Sequence, residues 1–295
     1  MAQSSAIKGV FFALATSLVG STAAAAGKYI ADQVNPYSIV MIQFLICFVL
    51  CLPHTLKHSP GELKTQQWKL HLIRGLGGWL AFIAFYASLG KISLVEANLL
   101  RNTAPLMVPL VVWAWLGLLV PGNRWIPLII GFVGVSLVLA PQPGDTTFNI
   151  GYLLGLGSGL GLAISMVGTR VLSKTDSSLQ IMVYYFVLSL ICSIPLGLYH
   201  WQPIPLSAWP YLLYIGISIY LALWLYTLAY SYAKPSLVSP ISYFSVVFSG
   251  LLGWMLWGFI PTTISMLGIS LVVAAGIVTV YLSSLEKDNN NEQTR

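Results

Sequence analysis

Long apolar runs, separated by short polar stretches, follow one another along almost the whole chain. A helix rises 1.5 Å per residue, so about 20 apolar residues cross the hydrocarbon part of a bilayer. Ten runs approach or exceed this length, near 8–28, 36–56, 72–90, 94–116, 125–141, 150–171, 179–199, 209–231, 236–257 and 262–283. The pattern predicts an all-α membrane protein with ten transmembrane helices.

The second half of the chain repeats the pattern of the first. At a shift of 142 residues, five positions carry the same or a similar residue in both halves: Gly9 and Gly151, Lys28 and Arg170, Ile39 and Ile181, Phe44 and Phe186, and Pro53 and Pro195. The alternative is chance alignment of apolar helices. We interpret the matches as two five-helix repeats, 1–145 and 146–285, followed by a disordered cytoplasmic tail, 286–295. Because five is odd, the second repeat is expected to be inverted.

Lysine and arginine positions predict the orientation of these repeats. With the N-terminus in the cytoplasm, eleven of the 14 basic residues lie on that side: Lys8, Lys57, Lys64, Lys69, Arg74, Arg124, Arg170, Lys174, Lys234, Lys287 and Arg295. Lys28 and Lys91 lie opposite, and Arg101 lies within a span. This bias satisfies the positive-inside rule, so both termini are predicted to be cytoplasmic in a bacterial-type inner membrane.

Composition narrows the class further. The 295 residues are 57% hydrophobic and only 7% charged, whereas soluble domains carry about 25% charged residues, so a soluble globular fold is excluded. The net charge of +6 comes mostly from short loops, which argues against a nucleic-acid partner. The three cysteines and four histidines show neither metal-ligand nor disulfide spacing. No nucleophile–base pair follows from spacing, so neither a cofactor nor an enzymatic activity is expected.

The fourth run carries the most unusual residues, in the stretch Glu96-Ala-Asn-Leu-Leu-Arg-Asn-Thr-Ala-Pro-Leu-Met-Val-Pro109. An ionisable side chain at membrane depth costs about 2.5–3.5 kcal/mol on insertion scales, so it normally faces a cavity or a partner. The two prolines can open helical hydrogen bonds there. We therefore predict that Arg101, Asn98 and Glu96 bind substrate, with Arg101 favouring a carboxylate or phosphate. Pairing of Glu96 and Arg101 with backbone or with each other is the alternative, although five positions place them about 140° apart.

Aromatic residues at helical spacing extend the predicted site to other helices. Trp79 and Tyr86 lie in the third helix and Trp224 and Tyr226 in the eighth. Aromatic faces can stack on a flat solute or hold a cation, and core packing is the alternative. The ninth helix adds two further candidate substrate-binding residues, Ser242 and Tyr243. A shift of 143, taken from Lys91–Val95 and residues 234–238, aligns Tyr243 with Leu100.

The chain resembles the drug/metabolite transporter superfamily, in its EamA-domain branch, over nearly its whole length. The resemblance rests on residues 97–109, on Ala229-Tyr-Ser-Tyr-Ala-Lys-Pro-Ser-Leu-Val-Ser-Pro240, and on Gly131 and Gly268. It implies ten helices, a central cavity lined by helices 1, 3, 4, 6, 8 and 9, and alternating access without ATP. Members of the superfamily move amino acids, nucleotide-like metabolites, vitamins and drugs. Residues 71–75 and 230–238 are similar to bacterial S-adenosylmethionine uptake carriers.

These observations predict a secondary transporter of a small organic metabolite, amino-acid-like or nucleoside-like and with an anionic group. Inverted repeats suit alternating access to a site near the membrane midplane. The expected partners are the metabolite, the lipid bilayer and, as a candidate coupling ion carried by Glu96, a proton. The chain is expected to be a monomer or a homodimer. A carrier of S-adenosylmethionine, a vitamin or a drug is the first alternative, and a membrane scaffold or an intramembrane enzyme is the alternative of another class.

Overall fold

The computed structural model describes residues 2–57, 63–118, 122, 125–138, 149–232 and 241–292. Throughout these residues the chain forms helices and turns without strands. The helices are α1 Ala2–Tyr29, α2 Pro36–Thr55, α3 Trp68–Leu89, α4 Leu94–Arg101, α5 Ala104–Leu116, α6 Trp125–Val138, α7 Ile150–Leu172, α8 Ser178–Tyr199, α9 Trp209–Tyr232, α10 Phe244–Trp257 and α11 Thr263–Glu292. The motif residues 234–238 and Pro240 lie outside the described residues.

The predicted all-helical fold class is confirmed for the described residues. Seven segments are long and apolar enough to cross a membrane: Ile7–Tyr29, Pro36–Thr55, Trp68–Leu89, Leu94–Leu116, Ile150–Leu172, Ser178–Tyr199 and Leu206–Tyr226. The other three predicted runs contain shorter apolar helices, α6, α10 and the first part of α11. The last helix continues to Glu292, through most of the tail that the sequence predicts to be disordered.

Polar caps fix where the second helix of each repeat begins. The Asn35 side chain accepts a hydrogen bond from the Ser38 backbone at 2.9 Å at the start of α2. Ser177 and Gln180 form a reciprocal capping box at the start of α8. Such caps satisfy backbone donors that the first helical turn leaves free. Asn35 and Ser177 are 142 residues apart, which is the repeat distance found in the sequence.

The helices pack in the same pairs when the two halves are exchanged. The first helix of each half packs on the third helix of the other, α1 on α9 and α7 on α3. The second helices pack on each other, α2 on α8, as do the last, α6 on α11. The two halves are therefore equivalent in packing, and most of the hydrophobic core lies between them.

Glycines on α7 let two neighbouring helices approach it closely. A Cβ placed on Gly161 would lie 2.7 Å from the carbonyl oxygen of Gly77 on α3. A Cβ on Gly159 would lie 2.7 Å from the carbonyl oxygen of Leu100 on α4. Small residues at such positions are typical of membrane helix contacts, because they allow backbones to touch.

The fourth span is broken in the middle, as its prolines predict. α4 ends at Arg101, residues 102–103 form a turn, and α5 starts at Ala104 with Pro105 in its first turn. Pro109, in contrast, lies inside the continuous helix α5.

The ninth run has the same local break. Ile241 is helical, residues 242–243 form a turn, and helix resumes at Phe244. The two breaks are 140 residues apart, so Tyr243 corresponds to Thr103. The predicted alignment of Tyr243 with Leu100 is therefore wrong by three residues. Its reference motif, residues 234–238, precedes the break and need not keep the same register.

Candidate functional site

Arg101 is the last residue of α4, and its guanidinium group lies against aromatic rings of α3. Its central carbon is 4.4 Å from the ring centroid of Phe82 and 4.6 Å from that of Phe85. The residue lies deep among the helices yet keeps accessible surface. Among the described residues, no carboxylate or hydrogen-bond acceptor pairs with it. Within the described part of the chain, ring faces hold this cation and its hydrogen-bond donors stay available.

Five rings from α2, α3 and α8 enclose this region, and we call them the aromatic cage: Phe44, Phe82, Phe85, Tyr86 and Tyr185. Phe44 meets Phe82 edge-on at 5.6 Å and Tyr185 edge-on at 5.4 Å between ring centroids. Tyr86 stacks beside Phe82 at 6.2 Å. All five side chains are buried. Edge-to-face contacts fix ring orientation, so the cage presents ordered aromatic faces.

Polar groups hold two residues of α3 in place. The Tyr86 hydroxyl donates to Gln43 Oε1 at 2.6 Å. Trp79 Nε1 donates to Ser193 Oγ at 2.8 Å, which joins α3 to α8. Tyr86 thus lies beside Arg101 in the cage, whereas the Trp79 indole is used in a contact between the two halves.

Asn98 belongs to a set of polar contacts that joins the two broken spans. Its side chain donates to Ser249 Oγ on α10 at 2.7 Å. Asn102 Nδ2 donates to Ser245 Oγ at 2.9 Å. We call these four residues the Asn–Ser seam. α1 joins it through Ser21, which donates to the Ser245 carbonyl at 3.0 Å.

Glu96 caps the start of α4. Its carboxylate accepts from the Ser93 backbone at 3.0 Å and the Ser93 hydroxyl at 2.7 Å. The Tyr152 hydroxyl on α7 donates to it at 3.2 Å. Lys28 lies within electrostatic range, and its Nζ donates to the Leu89 and Ile92 carbonyls, each at 2.8 Å. The carboxylate is thus hydrogen-bonded between the two halves, more than a helical turn from Arg101.

Two predicted site residues of the second half, Trp224 and Tyr226, are exposed on α9. Trp224 is 52% exposed and continues a stripe of exposed residues on α9, Leu213, Ile217 and Leu221. Such a stripe is typical of lipid contact. Tyr226, two positions later and so about 200° around the helix, is 41% exposed on another face.

The turn of the ninth run contains two predicted site residues, Ser242 and Tyr243, which differ in burial. Tyr243 is buried with its ring against Gly276. Ser242 is partly buried in the same turn. Of the nine predicted site residues, the structure brings Arg101 and Tyr86 within electrostatic range of each other. Trp79 lies on the same helix as Tyr86, and Asn98 on the same helix as Arg101. Of the other five, Glu96 caps α4, Trp224 and Tyr226 are exposed on α9, and Ser242 and Tyr243 form the turn of the ninth run.

Sequence reasoning missed the burial of Arg74, which the charge pattern places only on the predicted cytoplasmic side. It lies in the second turn of α3, with 7% of its surface exposed. Its guanidinium carbon is 3.9 Å from the Tyr185 ring centroid, and Nε donates to Thr169 Oγ1 at 3.0 Å. The available signal was its position inside the apolar run 72–90. Gln43 carried a comparable signal, because it is a polar residue inside the apolar run 36–56. Phe44 and Tyr185 carried none, since aromatic residues are ordinary members of apolar helices.

A second polar cluster lies at the start of α3. His71 Nε2 is 2.6 Å from Asp176 Oδ2, and the Thr65 hydroxyl donates to the same oxygen at 2.5 Å. The His71 and Asp176 side chains are only 3% and 6% exposed. Burial by itself would raise the pKa of Asp176, but hydrogen bonds from Thr65, His71 and Thr175 outweigh it and hold that pKa below its ordinary value. The cluster joins the first half to the turn between α7 and α8.

Within the described residues, seven segments of spanning length and two halves with equivalent packing define a multi-pass helical membrane protein. The profile of the EamA-like transporter family matches residues 7–140 and again residues 149–281. The chain belongs to the EamA-like transporter family, as its motifs predict, and carries that domain twice. Membership in a transporter family also supports the prediction that it is not an enzyme.

Three similar proteins have named transport functions. A riboflavin transporter of Vibrio cholerae is 27% identical and aligns over 90% of this chain and 91% of its own length. An S-adenosylmethionine uptake transporter of Rickettsia bellii is 22% identical over 90% and 91%. The pseudopaline exporter CntI of Pseudomonas aeruginosa is 26% identical over 91% and 94%.

One solved crystal structure has the same fold. It superposes with a TM-score of 0.65 at 18% sequence identity and covers 93% of this chain and 97% of the other. The agreement extends across both halves, so the fold is shared as a whole.

Proposed function

We propose that this protein is a secondary transporter that carries a small organic metabolite with an anionic group across a bacterial inner membrane. The observation that carries the proposal is Arg101, a deep but accessible cation that stacks on the Phe82 and Phe85 rings and has no carboxylate partner among the described residues. An unpaired charge in a low-dielectric interior is costly, and a bound anion would offset that cost. A guanidinium group matches carboxylate and phosphate geometry with two parallel hydrogen bonds.

The named relatives support a small organic solute without selecting one. Their names give riboflavin, S-adenosylmethionine and pseudopaline, and they include both an uptake transporter and an exporter. The aromatic cage beside Arg101 fits a solute that also has a flat or apolar part, because ring faces stack on such groups.

Alternating access follows from the equivalence of the two halves. In the proposed arrangement the repeats are inverted, all ten apolar runs cross the membrane and both termini are cytoplasmic. The exchange of packing partners between the halves supports it. The charge bias supports it too, because ten basic residues remain on the cytoplasmic side after Arg74 is assigned to the interior. The broken spans would let each half move around a central site, in a monomer or a homodimer.

Thermal stabilisation of the purified protein by a metabolite panel tests the proposal. The panel contains carboxylates, phosphates and neutral analogues, and the variants are Arg101→Gln and, as a control, Arg170→Gln, whose side chain is exposed. A ligand present at 100 times its Kd should stabilise the folded state by about 2.7 kcal/mol. We expect an anionic ligand to stabilise wild type and Arg170→Gln but not Arg101→Gln. A ligand that stabilises wild type and both variants equally would show that Arg101 does not bind it. Uptake into proteoliposomes would then test the transport function separately.

A further inference from the structure

Arg74 is a second arginine that the described residues leave without a counter-charge. Its Nη1 atom is buried and lacks a hydrogen-bond partner among the described residues. Nε is held by Thr169, and the planar group stacks on Tyr185. The Asp176 carboxylate, at the start of α3, is hydrogen-bonded to Thr65 and His71. Arg74 is therefore oriented by its neighbours while part of its donor capacity stays unused.

Tyr185 connects Arg74 to Arg101. Its phenol lies within electrostatic range of both guanidinium groups. From Tyr185 the aromatic cage continues through Phe44 to Phe82, the ring beneath Arg101. Along α3, the eight residues from Arg74 to Phe82 span about 12 Å. The two arginines thus lie at opposite ends of one set of aromatic faces.

In a low-dielectric region, each of two unpaired cations raises the free-energy cost of keeping the other one charged. A single anion at Arg101 would leave Arg74 uncompensated. A solute with an anionic group at each end would compensate both, while its middle lies along the rings of Tyr185 and Phe44.

We propose that Arg74 is a second anion-binding residue and that the transported solute is an elongated dianion, such as a dicarboxylate or a phosphate-bearing carboxylate. This inference rests on the proposed function and names the substrate class of the same site. Arg101 binds one anionic group and Arg74 the other, and the separation of the arginines selects the length of the solute.

Binding of matched probe pairs tests the inference. The probes are succinate, suberate and terephthalate, each compared with its monoamide, which keeps the length and loses one charge. Affinity is measured by thermal stabilisation and by calorimetry in wild type, Arg74→Gln, Arg74→Lys and the control Arg170→Gln. A hydrogen-bonded charge contact corresponds to a tenfold or larger change in affinity. We expect wild type and Arg170→Gln to prefer at least one dicarboxylate over its monoamide by roughly tenfold or more.

Arg74→Gln is expected to abolish this preference and to keep the affinity for the monoamide. Arg74→Lys, which keeps a charge but not the planar fork, should reduce the preference without abolishing it. The Lys variant carries the test if the Gln variant does not fold. Equal weakening of dicarboxylate and monoamide by either variant would assign Arg74 a structural role. Absence of any preference in wild type would also overturn the inference. Neither outcome affects the proposed function, which is judged by single-charge ligands and Arg101→Gln.

Discussion

At the scale of single residues, ring faces take the place that carboxylates usually take beside interior arginines. A desolvated cation–π contact contributes about 2 kcal/mol, whereas removing a partner from a buried ion pair costs about 3–5 kcal/mol. The two ring contacts of Arg101, with Phe82 and Phe85, therefore offset much of the cost of holding this charge without a carboxylate. Ring faces accept none of the in-plane N–H hydrogen bonds of the guanidinium group, and these donors favour a bound anion over an empty site.

Glu96 could serve as a helix cap or as the carrier of a coupling proton, and a test of proton coupling separates these two roles. It is buried in the fourth apolar run, with 6% of its surface exposed, and it also caps α4. Glutamine can occupy the same position of a capping box, so Glu96→Gln should lower the Tm only slightly. If Glu96 carries the coupling proton, a pH gradient should stimulate uptake by wild-type proteoliposomes and not by the variant. If the pH gradient changes uptake in neither protein, Glu96 does not carry the coupling proton and acts only as a helix cap.

At the scale of helices, close contact between α7 and α3 depends on the absence of one methyl group. Gly161→Ala would place a Cβ 2.7 Å from the backbone oxygen of Gly77, which cannot move as a side chain does. Overpacking of this kind costs about 1–3 kcal/mol, so the Tm in detergent should fall. Gly157→Ala, four residues earlier with open space around the new Cβ, is the matched control and should keep or raise the Tm. Equal effects of both substitutions would contradict the proposed contact.

Hydropathy and local motifs predicted elements well and contacts poorly. The break before Pro105 was readable because it depends on neighbouring residues. The repeat distance was readable because the two halves keep similar residues in register. The Asn98–Ser249 hydrogen bond joins positions 151 residues apart, which no local pattern encodes. Trp224 was placed in the site because spacing gives a helical face but not the direction in which it points. The burial of Arg74 was missed because a charge near the end of an apolar run is the same signal for an exposed helix end and for a buried second turn.

At the scale of the whole molecule, polar contacts join the two halves at both ends of α3. At its start, Asp176 of the second half meets Thr65 and His71 of the first. Beyond its end, the Asn149 side chain donates to the Lys91 carbonyl at 2.8 Å. An alternating-access cycle would open one end at a time, so each set of contacts would be broken in one of the two open states.

The acid dependence of stability tests the first of these sets. Because hydrogen bonding lowers the pKa of Asp176 in the folded protein, its contribution to the free energy of unfolding is present above the ordinary aspartate pKa of about 3.9 and is lost as the pH falls through the lower folded value. Asp176→Asn should therefore melt below wild type near neutral pH, and the difference in Tm should shrink only in acid below that ordinary pKa. Thermal unfolding in detergent across this range measures the difference, with Asp32→Asn, at an exposed position, as the control. A difference in Tm that stays constant with pH would show that the Asp176 carboxylate does not hold the two halves together through its charge.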